Sequence, residues 1–133
     1  MRKKATLLDR AKIDLQVAKD NLKNAETDEL FLDVAAYHIQ QAIEKSLKFH
    51  LEINGIEYPL THDVGALWEQ ADENKLSPPK WIYDNYETLN TYSTKTRYGA
   101  SIIGTRRKII EFCDALPPYL ATLSPKTTTI PKF

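Results

Sequence analysis

Apolar positions recur at helical spacing along nearly the whole chain. Leu8, Ala11, Leu15, Ala18, Leu22 and Ala25 step by three and four, which sets them on one helix face and leaves Arg10, Lys12, Gln16, Lys19 and Lys23 elsewhere. This predicts helix one over about 4–24. The stretch NAETDEL is the connection, and Thr27 or Asp28 is suited to cap the next helix. Helix two, over about 29–53, carries Phe31, Ala35, Ile39, Ala42, Ser46, Phe49 and Ile53 on one stripe, widened by Leu32, Ile43 and His50. Gln40, Gln41, Glu44, Lys48 and Glu52 fall on the opposite arc. So wide an apolar arc requires two or three neighbours, as a central bundle helix has. Asn54 and Gly55 then suit the left-handed geometry of a helix C-terminus.

Thr61 is the predicted N-cap of helix three, with Asp63 in its first turn favouring the dipole and Val64, Leu67, Trp68 and Ala71 as its buried stripe. Ser77 is the predicted cap of helix four. Pro78 and Pro79 stand where a missing N–H does little harm, and Trp81, Ile82, Leu89 and Tyr92 face inward. YSTKTRYGAS reads as a polar loop or frayed turn. Helix five is expected over about 101–116, with Ile102, Ile109, Cys113 and Leu116 on one stripe and Pro117–Pro118 as its terminator. Period-two alternation of useful length is missing. The pattern predicts an all-α, up-and-down antiparallel bundle of five helices, four of them long. It occupies residues 1–120, with a Pro/Thr-rich tail over 121–133.

A chain of 133 residues suits one domain with a real core. Lys plus Arg and Asp plus Glu balance at 18 each, so no overall field steers the chain to nucleic acid or membrane. A single cysteine, Cys113, allows no intrachain disulfide, and its place on an apolar stripe favours an inert core thiol over a reactive one. The basic start MRKK is not followed by an apolar h-region, and no run reaches the roughly 18 apolar residues of a membrane span. A soluble, cytoplasmic protein is expected.

The chemistry of the sequence is sparse. All three histidines, His38, His50 and His62, lie within residues 35–67, and no H-x-x-x-H, C-x-x-C or H-E-x-x-H spacing supports a metal site. No cofactor is expected. Phosphate-loop glycine motifs and the G-x-S-x-G elbow are absent. His38 and His50 fall in or beside the apolar arc and read as satisfied core or boundary residues. His62, at the start of helix three, faces solvent or a cleft and is open to a structural hydrogen bond or a ligand contact. Asp14 and Glu44 read as solvated-face carboxylates. The segment TYSTKTRYGASIIGTRR is richer. It gathers Lys95, Arg97, Arg106 and Arg107 with Tyr92, Ser93, Thr94 and Tyr98, the cations, hydroxyls and rings that a phosphate-bearing aromatic ligand needs. Arg106 falls by phase inside the apolar stripe. Either it pairs internally with an acid such as Glu44 or Asp14, or snorkels at the bundle's end, or it lines an anion site with Arg97.

HIQQAIEKSLKFHL, then YPLTHDVGAL, then TRYGAS together resemble the HEPN domain (higher eukaryote and prokaryote nucleotide-binding). The resemblance rests on Gln40, Gln41, Ala42, Glu44, Lys45, Leu47 and Lys48, on Thr61, His62 and Asp63, and on Arg97 and Tyr98, and spans roughly residues 5–116. It implies a helical bundle, often dimeric, often encoded beside a minimal nucleotidyltransferase in prokaryotic toxin–antitoxin or defence systems. It also implies metal-independent ribonuclease activity in members where a histidine follows the arginine after four to six residues. Here those positions hold Ile102, Ile103 and Gly104, and no histidine lies beyond His62. The expectation is therefore a non-catalytic nucleotide- or RNA-binding module that uses Arg97, Tyr98, Lys95, Arg106 and His62, forms a homodimer and works with a nucleotidyltransferase. The alternatives are a ribonuclease whose base has moved to His62, and a dimeric scaffold without nucleotide binding, in which helix two's broad apolar arc, with Tyr37 and Leu51 outside it, serves to pair two copies.

Overall fold

The computed structural model describes residues 4–93 and 105–124. Among these it has six helices and no strand: α1 Leu7–Asn24, α2 Phe31–Ile53, α3 Val64–Glu73, α4 Lys80–Asp84, α5 Tyr86–Tyr92 and α6 Thr105–Leu123. A reciprocal cap starts α1. The Thr6 hydroxyl accepts from Asp9 N at 3.1 Å and the Asp9 carboxylate accepts from Thr6 N at 2.9 Å. Leu8, Ala11, Leu15 and Ala18 are buried, as their spacing predicts. A short link reverses the chain, so α1 lies antiparallel on α2. Asp28 contributes to that link by accepting from Leu30 N at 3.0 Å, rather than by capping the helix itself, whose N-cap Leu30 has no side-chain cap bond.

α2 is the centre of the bundle, with α1, α3, α5 and α6 all packed on it. Its predicted stripe is buried from Ala35 to Phe49, while Phe31 and Ile53 protrude at its two ends. The solvated arc is corrected in part. Gln40 is 0 % exposed and Glu44 3 %, because α3 and the segment leading into it close over that side. Asp14, read from the sequence as solvated, is buried too, and so is Leu51, which removes it from any pairing surface. Gly55, at φ +71°, closes the helix in the left-handed region, with Ile56 N donating to Leu51 O at 3.0 Å. Asn54 stays at φ −102°.

The N-cap of α3 is Asp63, not Thr61. Its carboxylate accepts from Gly65 N at 2.9 Å, while the Thr61 hydroxyl accepts from Asp63 N at 3.0 Å. The fourth predicted helix is two. It starts after Pro79 rather than at Ser77, and it breaks at Asn85, whose side-chain amide donates to the Trp81 carbonyl at 2.7 Å and competes with the helical ladder there. The prolines do not end α6, which runs through Pro117 and Pro118 to Leu123. A proline inside a helix costs about 3 kcal/mol or more. Beyond the pair, Tyr119, Leu120 and Leu123 are all buried, and at about 1.5–3 kcal/mol for each large apolar side chain their burial offsets a cost of the order two prolines impose. Residues 101–104, the predicted start of helix five, lie outside the described residues.

α6 runs antiparallel to α1, with Arg106 reaching Ala25 at one end and Lys12 reaching Ser124 at the other. It runs parallel to α2, meeting His50 through Tyr119. Phe112 is the hub on its inner side, stacked with Trp81 at 5.8 Å between centroids and tilted against Tyr92 at 6.2 Å. α5 meets α3 at a backbone-to-ring contact. A Cβ added at Gly65 would stand 2.6 Å from the Tyr86 ring. Gly65→Ala is therefore expected to cost about 1–3 kcal/mol by overpacking. A denaturant midpoint should show the loss, and Tyr86→Leu in the same chain should recover part of it.

Candidate functional site

α2 carries two buried carboxylate clusters, each with a histidine and a lysine. On the α1 side, Asp14 of α1 accepts from His38 Nδ1 at 2.8 Å and from the Lys45 ammonium. On the α3 side, Glu44 accepts from Gln40 Nε2 at 2.9 Å, from Lys48 Nζ at 2.9 Å, and from His62 Nδ1 at 3.0 and 3.2 Å to its two oxygens. Gln40 in turn accepts from Gln41 at 2.8 Å. The i, i+4 steps Gln40–Glu44–Lys48 make this a ladder along one helix line.

The two clusters differ in access. The His62 side chain is 77 % exposed over a Glu44 side chain that is 4 % exposed, whereas His38 is 28 % exposed. Burial by itself would raise the Glu44 carboxyl, but donation from Lys48, Gln40 and His62 outweighs it and holds the group below its ordinary range. Glu44 is thus a fixed anion that accepts a hydrogen bond from His62 Nδ1–H. The outer nitrogen, Nε2, is left as a proton acceptor when the ring is neutral and as a donor to an anion when it is charged. The segment ahead of α3 is held by α5 as well. Asn90 accepts from Val64 N at 3.0 Å and donates to Asp63 at 3.0 Å.

Of the residues singled out in the sequence, Lys95, Arg97 and Tyr98 lie outside the described residues. Arg106 donates to the Ala25 carbonyl at 3.3 Å, not to Glu44 or Asp14. Ala25 precedes α2, and Glu44 is 13 residues into it from Phe31, so Arg106 and His62 contact the bundle about 20 Å apart along the α2 axis. One phosphate cannot touch both. His50 is the satisfied boundary residue its phase predicts, bonded to the Tyr119 hydroxyl at 2.7 Å. Cys113 is 2 % exposed and burial pushes its thiol up to about 11, which makes it a poor nucleophile. No cluster of His, Cys, Asp and Glu among the described residues is placed to hold a metal. No helix of the described residues is long and apolar enough to cross a membrane.

The family model of the HEPN domain matches residues 5–115. The chain belongs to the HEPN family. Comparison with curated proteins and with solved structures finds no match. In HEPN terms, Gln40, Glu44 and the final Lys48 of the Gln-x-Ala-x-Glu-Lys-x-Leu-Lys pattern and His62 of Thr-His-Asp form one physical unit, although 17 residues separate Glu44 from His62. Sequence reasoning placed Glu44 on a solvated arc and so missed its role as the anchor of His62. The signal was present in the Gln40–Glu44–Lys48 spacing, which lets an acid on a central helix bring most of its own donors.

Proposed function

We propose that this HEPN protein binds a nucleotide or RNA without hydrolysing it. His62 contacts a phosphate oxygen through Nε2, and Arg97, Tyr98 and Lys95 supply further charge and a stacking ring. Arg106, at the far end of α2, meets a longer strand rather than the same phosphate. The observation that carries the reading is the exposed His62 imidazole fixed on the buried Glu44, because such a ring is oriented before any ligand arrives. A minimal nucleotidyltransferase is the proposed partner, in a prokaryotic toxin–antitoxin or defence pair, as the family membership suggests. Pairing with a second copy is proposed through Leu30, Phe31 and Val34, which are 69 %, 36 % and 39 % exposed on and just before the first turns of α2.

Titration of the protein with fluorescent short RNAs and nucleoside triphosphates tests the binding role. His62→Ala and Arg97→Ala should each weaken binding about tenfold, the loss of one charge-assisted contact, and added salt should weaken it further. Affinity that neither change alters would refute the proposal. A second reading is favoured by the same Glu44–His62 pair, which also fits a general base for the attack of a ribose 2′-hydroxyl on its phosphodiester. Incubation with RNA in chelator separates the two. Cleavage lost in His62→Ala supports the ribonuclease, and intact RNA alongside tight binding supports the binding module.

A further inference from the structure

A concavity lies on another face of α2, away from the His62–Glu44 pair. His50 is six residues past Glu44, about 120° around the helix, so it points away from the His62 site. There His50, the C-terminal half of α6 and the link from α3 to α4 enclose a groove of about 480 Å³, within the range of about 300–1,000 Å³ typical of small-molecule sites. Trp81 and Pro79 line it on the α4 side, Pro118, Ala115 and Tyr119 on the α6 side, and His50 from α2.

Three features suit this groove to a particular chemistry. First, none of its lining residues carries a formal charge when His50 is neutral, so nothing repays the dehydration of a phosphate or carboxylate. Second, Trp81 is fixed by stacking on Phe112, with planes 18° apart, and Trp68 Nε1 donates to the Pro79 carbonyl at 2.9 Å, so the α4 side is rigid. Third, the polar group is oriented. The Tyr119 hydroxyl is buried and meets His50 Nδ1 at 2.7 Å. Burial raises the Tyr119 phenol and lowers the His50 imidazole, so both are neutral. With the hydroxyl donating to Nδ1, the ring's own N–H stands at Nε2. The rim is also held in an uncommon backbone state. Lys75 and Ser77, on either side of Leu76, have φ of +63° and +55°, and both Leu76 and Ser77 line the groove.

We propose that this groove binds an uncharged planar heteroaromatic ring, packed between the Trp81 and Pro118 sides, with a ring nitrogen or carbonyl accepting from His50 Nε2–H. The site is separate from the phosphate contact at His62 and does not depend on it.

The probes are adenosine and cytidine, which carry no phosphate, with indole as a ring that lacks an acceptor. Saturation-transfer NMR on the full chain reads binding, and Trp fluorescence titration gives affinity. Both nucleosides should bind, and indole at least about tenfold more weakly, since it cannot accept the hydrogen bond. His50→Phe should weaken the nucleosides about tenfold, to the level of indole, and Ala115→Leu, which fills the groove from the half-buried side of α6, should abolish binding of all three. Circular dichroism confirms the fold of each variant, and Ala115→Leu decides the matter if His50→Phe does not fold. No transfer to either nucleoside at millimolar concentration overturns the proposal. So does transfer undiminished in Ala115→Leu, or indole binding as tightly as adenosine. Because the probes carry no phosphate, failure of the His62 reading leaves these outcomes unaffected.

Discussion

Replacing Glu44 by alanine is expected to destabilise the protein by about 3–5 kcal/mol, a large fraction of a small domain's stability. The carboxylate is 3 % exposed and receives Gln40, Lys48 and His62. Its removal leaves the Gln40 amide, itself fully buried, and the Lys48 ammonium, 14 % exposed, without their acceptor. The cost is then the dehydration of those donors, which exceeds the modest net value of each bond. Glu44→Gln should cost less, since the amide keeps its volume and one acceptor. The pH dependence is set by the sign of the shift. The carboxyl is held below its ordinary value of 4.5, so the stabilisation is full above that value and is lost as pH falls through the lower, folded-state value. Urea midpoints measured from pH 7 down to pH 3 should fall more steeply for the native chain than for Glu44→Gln. Parallel curves would show that Glu44 is not ion-paired in the folded state.

Phe112→Ala is the second change expected to cost about 3–5 kcal/mol. The ring is 2 % exposed and is the shared contact of Trp81 on α4 and Tyr92 on α5, so its loss empties the joint through which both short helices meet α6. Neither α4, with five residues, nor α5, with seven, is long enough to be helical by itself. The expected result is uneven loosening. Amide exchange should speed up most across Lys80–Tyr92 and least in α1 and α2. Phe112→Leu, which keeps most of the volume, should recover more than half of the stability. A uniform loss of protection over all six helices would show instead that α4 and α5 do not form a separate layer.

Much of the bundle was legible because its helices obey one period. The stripes of α1 and α2 could be read directly, since Leu8 to Ala18 and Ala35 to Phe49 each face a single core. Three features were not legible, each because tertiary packing outweighs a local rule. Pro117 and Pro118 read as a stop, yet Tyr119, Leu120 and Leu123 find the core and carry the helix past them. Asn85 reads as an ordinary helical position, but its side chain takes the Trp81 carbonyl and splits one element into two. Glu44 reads as a surface acid, because periodicity reports how apolar a face is and not which faces a central helix must cover. The candidate site was half legible. His62 stood out by its place at a helix start, but the partner that orients it lies on another helix, and only the fold brings them together.

The prolines of α6 have one more consequence. Without N–H groups at 117 and 118, the carbonyls of Cys113 and Asp114 receive nothing from the next turn, so two consecutive rungs of the helical ladder are missing. The final segment of α6 is fastened less by the helix it prolongs than by the side chains it sets into its neighbours: Tyr119 on His50, Leu120 and Leu123 in the core, Ser124 beside Lys12. The stability of this last stretch is therefore set by tertiary contacts rather than by the helical ladder.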